Sequence, residues 1–212
     1  MKYKDTNFRT VYHRFVVVML TEVNRKVIEQ FPGNESADCI LTVGYIDREA
    51  GLTLEVLATG NKIGDGFRFN DGADEIRALI RIGGIGDSEF YLIEDKDGEL
   101  VKKHNDKLQT IKTYDPDEAV LAIREFDVLD DSRHEFYPDD VLVWIIKKGL
   151  QPEGCWVRTN GVDENGIFGT LLNTPDQDFG CHKGSQVYFC PFKRDDGTYA
   201  CIANMDAQIT EK

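Results

Sequence analysis

The feature that most constrains the fold is a series of short apolar segments, separated by turn residues, in the last quarter of the chain. Four such segments are rich in β-branched and aromatic residues and lie near 155–162, 166–173, 185–193 and 198–204. Asp163-Glu164-Asn165-Gly166 and Asp195-Asp196-Gly197 are typical turn sequences between them. Strands this short, joined by tight turns, predict a strongly curved antiparallel sheet or barrel. We therefore expect a small β-barrel-like domain over residues 138–212.

A helix is expected to lead into this domain. Pro138-Asp139-Asp140 is typical of a helix start, and Lys147-Lys148-Gly149 is typical of a helix end. The six residues 141–146 between them are all apolar and several are β-branched, so a strand is the alternative.

The sequence of the first 132 residues predicts a separate α+β domain that begins with a helix. Apolar residues from Val11 to Phe31 recur at close to the helical period, and Pro32-Gly33 ends the pattern. The β-branched run Val16-Val17-Val18 would fit a buried strand as well, so the first half of this helix has an alternative.

Further elements are expected in this first domain: a hairpin of 39–46 and 52–59, a helix over 73–82, a hairpin of 89–93 and 99–103, and a helix that opens at 115–118. Asp115-Pro116-Asp117-Glu118 provides a side-chain cap, a proline and acidic residues at the positive end of the helix dipole. The predicted fold class is therefore α+β. We place the domain boundary in the acidic link between residues 130 and 137.

Net charge excludes one large class of partner. The chain carries 25 basic and 38 acidic residues, a net charge of −13. Phosphate contacts need clustered Lys and Arg, so the sequence argues against nucleic-acid binding and favours a basic partner. Ten acidic and two basic residues lie between Tyr114 and Asp140, which concentrates most of the excess charge in one segment.

The chain is expected to be cytoplasmic and not membrane-spanning. Its longest uncharged apolar run, from Phe15 to Leu20, has six residues, far short of the roughly 18 that a membrane helix needs. The start of the chain lacks the pattern of a secretory signal. Five cysteines without a Cys-x-x-Cys pair argue against a disulfide framework, and we expect Cys39 and Cys201 to be buried thiols.

Catalytic, metal and cofactor motifs are not evident, and we expect neither a metal nor a cofactor. Cys181-His182 near Asp178 is the one cluster that resembles a nucleophile with a base, but adjacent side chains rarely face each other. Five aromatic residues on neighbouring predicted strands could form an exposed platform that binds a peptide or a nucleobase. A small barrel needs the same residues for its core, which is the alternative. They are Trp156, Tyr188, Phe189, Phe192 and Tyr199.

The barrel region resembles a bacterial domain-of-unknown-function family. Trp156-Val157, Gly169-Thr170-Leu171-Leu172-Asn173-Thr174-Pro175 and Gly184-Ser185-Gln186-Val187 follow the order and spacing of motifs in that family, over residues 138–204. The resemblance implies a compact barrel-type β-domain without established catalytic residues. It also implies an association with bacterial immunity proteins, which neutralise toxins in the cytoplasm.

These observations favour a non-enzymatic, protein-binding module, of the immunity type, that engages a basic partner through an acidic face. Such charge complementarity would speed encounter and help to exclude wrong partners. The acidic segment supplies the predicted contact residues, which are Asp127, Asp130, Asp131, Glu135, Asp139 and Asp140. Their alternative role is as helix caps and solubilising surface. The alternative function is an enzyme or small-ligand binder with a site between the two domains.

Overall fold

A computed structural model of the chain describes residues 1–73, 75–85 and 87–207. The chain divides into two compact units at Asp115/Pro116, and we call these unit 1 and unit 2. Among the described residues, no helix combines the length and the apolar character that crossing a bilayer requires.

Unit 1 is built on one antiparallel sheet with the strand order β4-β3-β2-β1-β6, and β5 pairs separately with β3. Its strands are β1 (Phe15–Met19), β2 (Cys39–Asp47), β3 (Gly51–Ile63), β4 (Gly66–Phe69), β5 (Leu79–Arg81) and β6 (Phe90–Ile93). The predicted hairpin of 39–46 and 52–59 is confirmed as β2 and β3, which pair from Cys39 opposite Gly60 to Asp47 opposite Gly51.

The predicted N-terminal helix over 11–31 is wrong. Phe15–Met19 is a central strand, and the rest of the segment holds only the short 3-10 helix Arg25–Ile28. Val16 and Val18 pack in the apolar cluster on one face of the sheet, while Val17 packs in the cluster on the other. Because both faces are covered, three successive β-branched residues are buried together, which a strand permits and an amphipathic helix does not.

Two short helices cover one face of this sheet, and one of them replaces a predicted strand. The helices are α1 (Glu99–Lys103) and α2 (Asn105–Lys112). The Asp95 carboxylate accepts hydrogen bonds from the backbone N–H groups of Leu100 and Val101, at 3.1 and 2.9 Å. Residues 95–98, predicted to be the turn of a hairpin, therefore lead into a helix. The first predicted strand of that hairpin, 89–93, contains strand β6, but the second, 99–103, is helix α1, so the prediction of a strand there is wrong.

The helix predicted over 73–82 is also wrong, although its Asp74 lies outside the described residues. Leu79–Arg81 is strand β5 and Ile82–Ile85 is a 3-10 helix. Ile80 and Ile82 are both buried in the cluster of unit 1. The backbone N–H and C=O groups of this segment find their hydrogen-bond partners in strand β3, and not within a helix as predicted.

Unit 2 begins with helix α3 (Glu118–Arg124), and the helix predicted here is confirmed, but it begins at Glu118 and not at Pro116, the expected first residue. The Asp117 carboxylate accepts a hydrogen bond from the Val120 N–H at 3.0 Å. A 3-10 helix, Asp127–Ser132, follows, and its Leu129 is buried in the core of unit 2. The acidic segment that the sequence suggested as a link between domains is thus part of unit 2.

Five strands of unit 2 close into a barrel, as the sequence predicted for this region. They are β7 (Asp140–Ile146), β8 (Glu153–Asp163), β9 (Gly166–Leu171), β10 (Gln186–Lys193) and β11 (Tyr199–Asn204). Successive strands pair antiparallel, and β11 returns to pair parallel with β7, which closes the barrel. Inward-facing residues such as Val143, Val157 and Val187 are fully buried in its core.

The helix predicted to precede the barrel is wrong, because residues 140–146 are its first strand. Val141, Val143 and Ile145 are fully buried, whereas Leu142 and Ile146 are half-buried and Trp144 is exposed. This alternation has the period of a strand. With two sheets and three short α-helices among the described residues, the chain is mostly β, and the predicted α+β class is wrong.

Replacing Gly169 with alanine is expected to destabilise unit 2 by about 1–3 kcal/mol, the usual cost of overpacking a core. A Cβ at this position in β9 would lie 2.3 Å from the Arg158 carbonyl oxygen of β8, a backbone atom that cannot rotate away. Gly154→Ala is the control, because its Cβ would meet the Leu142 side chain at 3.3 Å. Urea unfolding measured by fluorescence should separate the two variants, and equal stability would contradict this packing argument.

Candidate interaction surface

An apolar surface lies on the outside of the barrel, where a strand usually presents polar residues to water. It is formed by outward-facing side chains of four adjacent strands, and we call it the apolar face; its members are Leu142, Trp144, Trp156, Phe192 and Ile202. Trp144 is 38 % exposed and Phe192 is 59 % exposed. Leu142, Trp156 and Ile202 are half-buried.

Strand register places these side chains next to one another. Trp144 of β7 lies opposite Ile202 of β11 and opposite Gly154 of β8, and Leu142 lies opposite Trp156. Phe192 of β10 lies opposite Ala200, the residue two before Ile202 on β11. Directly opposed residues of an antiparallel pair, such as Leu142 and Trp156, have Cβ atoms about 4.5–5.5 Å apart, and diagonal neighbours such as Phe192 and Ile202 lie about 7–8 Å apart, which is within reach of aromatic side chains.

Gly154 keeps part of this surface flat. A Cβ on Gly154 would lie 3.8 Å from two atoms of the Trp144 ring, so the indole lies across the glycine. The Leu142 side chain lies beside the same glycine, at 3.3 Å from the position of that Cβ, so Leu142 and Trp144 both border Gly154.

The edge of the apolar face next to Trp156 is aromatic. The His134 ring contacts Trp156 and Tyr137 edge-on, with centroids 4.9 and 5.2 Å apart. The Phe136 N–H donates a hydrogen bond to His134 Nδ1 at 3.0 Å, and Phe136 itself is 36 % exposed. This contact orients the His134 ring against Trp156 and extends the apolar face with one further exposed aromatic side chain.

Several of the predicted contact carboxylates have partners within unit 2, and two of them are buried. Asp139 binds Arg124 through both oxygens, at 2.9 and 2.8 Å, and both side chains are buried. Asp140 binds Arg158 through both oxygens, at 2.8 and 3.2 Å. Both carboxylates are therefore part of the structural framework of unit 2 and are not available to a partner.

The remaining acidic residues lie nearer the surface. Asp130 accepts a hydrogen bond from Arg133 Nε at 3.2 Å, and the Asp131 carboxylate accepts one from the Tyr199 N–H at 2.9 Å while remaining exposed. Asp127 and Glu135 are also exposed. Tyr199 begins strand β11, and Glu135 lies in sequence between His134 and Phe136, so this acidic segment borders the apolar face.

The cysteine and histidine cluster does not form a nucleophile with its base. His182 Nδ1 donates to the Lys183 carbonyl oxygen at 2.8 Å, and Asp178 accepts a hydrogen bond from the Gly180 N–H at 3.1 Å. Burial, partly offset by Lys147, raises the pKa of the Cys181 thiol, which opposes formation of a thiolate. Within the described ranges, no group of three or more His, Cys, Asp or Glu side chains is placed to hold a metal ion.

Sequence reasoning identified Trp156 and Phe192 as candidates for an aromatic platform but missed Trp144, Leu142 and Ile202. It assigned Trp144 to a helix, which hid its neighbours. The available signal was the run of six apolar residues 141–146, because a strand that is apolar on both faces requires cover on both. Of the other aromatic candidates, Phe189 is in the core and Tyr188 donates a hydrogen bond to Asp163 at 3.0 Å.

Comparisons with models of known protein families, with curated proteins and with solved structures return no match. The resemblance of residues 138–204 to a bacterial family stays a prediction.

Proposed function

We propose that this chain is a non-enzymatic, cytoplasmic protein-binding module whose apolar face docks a basic partner protein. The observation that carries the proposal is the outward side of strand β7, where Leu142 and Trp144 are left partly uncovered among apolar neighbours from β8 and β11. Contiguous apolar surface on a soluble protein is characteristic of interaction sites.

The composition of the apolar face suits protein recognition. Tryptophan is among the residues most enriched at the energetic centres of protein interfaces, because it buries a large area with little loss of rotamer freedom. Two tryptophans lie here, and they are the two that the chain contains. A partner that buried Trp144 would remove a large, partly exposed indole from water.

Charge favours a basic partner. From Pro116 onward the chain has 18 acidic and 9 basic residues, so unit 2 carries most of the net charge of −13. Exposed Asp131 and Glu135 border the apolar face, where they would meet Lys or Arg side chains at the rim of an interface. Rim charges mainly accelerate association and select partners, so binding should weaken as salt rises.

An immunity-type role follows from the resemblance of residues 138–204 together with this charge. A cytoplasmic neutraliser of a basic toxin needs a fast, charge-steered encounter and an apolar centre that holds the complex. The apolar face and its acidic border provide both features on one unit.

The test is affinity capture from the lysate of the source cells at low and moderate salt, with mass spectrometry of the bound proteins. We expect one basic protein in stoichiometric amount, released as salt rises. Replacing Trp144 with serine should weaken its binding about 30-fold or more, as for an interface residue that contributes about 2 kcal/mol.

Val162→Ser is the matched control, because Val162 is an exposed residue of β8 that lies outside the apolar face. It should leave capture unchanged. A protein captured equally by wild-type chain and by the Trp144→Ser variant would contradict the assignment of this surface.

A further inference from the structure

A second feature, in unit 1, goes beyond the proposed function and does not depend on it. Two arginine side chains converge at the end of the sheet over a buried acidic and aromatic base. Arg77 and Arg81 are 42 % and 45 % exposed, whereas Glu55 and Tyr45 beneath them are 2 % and 1 % exposed.

Strand pairing fixes the position of Arg81. Tyr45 of β2 lies opposite Thr53 of β3, and Thr53 lies opposite Arg81 of β5, so the three form one row across the sheet. Arg81 Nη1 donates to the Thr53 hydroxyl and lies 3.5 Å from the Asp47 carboxylate. Arg81 is therefore held beside Tyr45 by its neighbours in the sheet.

Arg77 reaches the same place from the loop that precedes β5. Its Nε donates to the Glu55 carboxylate at 3.1 Å, and its Nη2 donates to the hydroxyls of Tyr45 and Tyr114, at 3.4 and 3.0 Å. The guanidinium is thus fixed by three partners before any ligand arrives. Such preorganisation lowers the entropy cost of binding.

Donors remain available on the solvent side. Among the described residues, Arg77 Nη1 and Arg81 Nε and Nη2 have no hydrogen-bond partner. The Tyr114 hydroxyl accepts from Arg77, which leaves its own proton free to donate outward. Two guanidinium groups and a phenol therefore direct donors to one surface region.

Local charge favours an anion there. Burial raises the pKa of Glu55, and Arg77 and, to a smaller degree, Lys107 oppose that rise. Lys107 is buried nearby, where its ammonium donates to the carbonyl oxygens of Val56 and Ile76. Arg77 and Arg81 pair with Glu55 and Asp47, and Lys107 adds a further positive charge close enough to act on Glu55. Planar guanidinium groups match the geometry of phosphate and carboxylate oxygens.

We infer that unit 1 carries an oxyanion-binding site formed by Arg77, Arg81 and the Tyr114 hydroxyl, with Glu55 and Tyr45 as the buried base that positions Arg77. Its ligand is a molecule that presents a phosphate or a carboxylate group. This chemistry differs from that proposed for unit 2, where an apolar face with an acidic border would engage a basic protein.

The experiment is a titration of the full chain at pH 7 with sodium phosphate and, separately, with sodium succinate, at constant ionic strength set with sodium chloride. Thermal unfolding and the arginine Nε–H resonances in nuclear magnetic resonance spectra report binding. We expect a saturable rise of the unfolding midpoint and selective shifts of the Arg77 and Arg81 resonances with at least one of the two anions.

Variants locate the site. Arg81→Gln removes an exposed guanidinium without leaving Glu55 unpaired, and it should weaken binding at least tenfold. Tyr114→Phe keeps the ring and removes the donor, and it should weaken binding about threefold to tenfold. Arg68→Gln, at an exposed arginine of β4, is the matched control and should leave the affinity unchanged.

The two anions distinguish the source of the oxyanion. Saturable binding of phosphate alone assigns a phosphorylated ligand, and saturable binding of succinate alone assigns a carboxylate ligand. Absence of saturable shifts with either anion in the wild-type chain overturns the inference, as does equal affinity of wild type and Arg81→Gln. Neither result would bear on partner capture by unit 2.

Discussion

Replacing Arg124 with methionine is expected to destabilise unit 2 by about 3–5 kcal/mol, the cost of leaving a buried charge without its partner. The Arg124 and Asp139 side chains are 1 % and 3 % exposed, and they share two hydrogen bonds of 2.9 and 2.8 Å. Methionine fills much of the arginine's volume, so the loss arises mainly from the stranded Asp139 carboxylate.

Tryptophan fluorescence measures this effect selectively, because both tryptophans lie in unit 2. Urea unfolding of the wild type and the variant gives the difference in free energy of unfolding. The double variant Arg124→Met/Asp139→Leu should recover most of the loss, since replacement of a buried ion pair by apolar residues is often neutral.

Arg158→Met provides a matched comparison on the neighbouring ion pair. Arg158 and Asp140 are 20 % and 9 % exposed, more than Arg124 and Asp139, so the remaining carboxylate is less completely removed from water and the expected loss is smaller, about 1–3 kcal/mol. If Arg124→Met destabilised unit 2 no more than Arg158→Met does, burial would not be the cause that we assign.

Raising the pH from 9 to 11 is expected to lower the stability of unit 1 by about 2 kcal/mol through Cys39 alone. Burial, assisted by Asp38, raises the pKa of this thiol from 9.0 to about 12. Above pH 9 the unfolded chain releases the thiol proton while the folded chain keeps it. The folded state then binds more protons, so stability falls as pH rises and continues to fall until about pH 12.

The measurement is the free energy of unfolding in urea at pH 8, 9, 10 and 11, followed by circular dichroism, for the wild type and for Cys39→Ala. The variant should be less stable at pH 8 because it loses buried volume, yet its stability should depend less steeply on pH. Tyr45, whose pKa burial raises to about 12, supplies a further fall above pH 10 in both proteins. Parallel pH curves for the two proteins would show that Cys39 is not the titrating group.

Sequence reasoning succeeded where local signals were sufficient. Helix α3, the β2–β3 hairpin and the four strands after residue 150 each have their own turn or capping residues, and the structure confirms that these elements are present. It failed at two apolar runs, Val16–Val18 and Val141–Ile146. Both runs belong to strands with apolar side chains on both faces, which carry no period-2 signal.

The candidate sites could be predicted from the sequence less completely than the secondary structure, because they are formed by contacts between distant parts of the chain. Partial burial of the acidic segment could not be read from its charge, because Arg124 and Arg158 lie 15 and 18 residues from their partners Asp139 and Asp140. Likewise, Arg77 and Tyr114 meet across 37 residues. Such pairings are set by the fold, so a sequence shows the charges without showing which of them are already paired.

The parallel pairing of β7 with β11 affects how the chain emerges during synthesis. All strands of unit 1 have been made by residue 115, whereas the barrel lacks its closing strand until residue 204. At about 5–20 residues per second, this interval lasts roughly 5–20 seconds. Once β7 is complete at residue 146, the edge that pairs with β11 stays without its partner strand for the rest of this interval, so the nascent chain exposes an unpaired, apolar strand edge to chaperones on the ribosome.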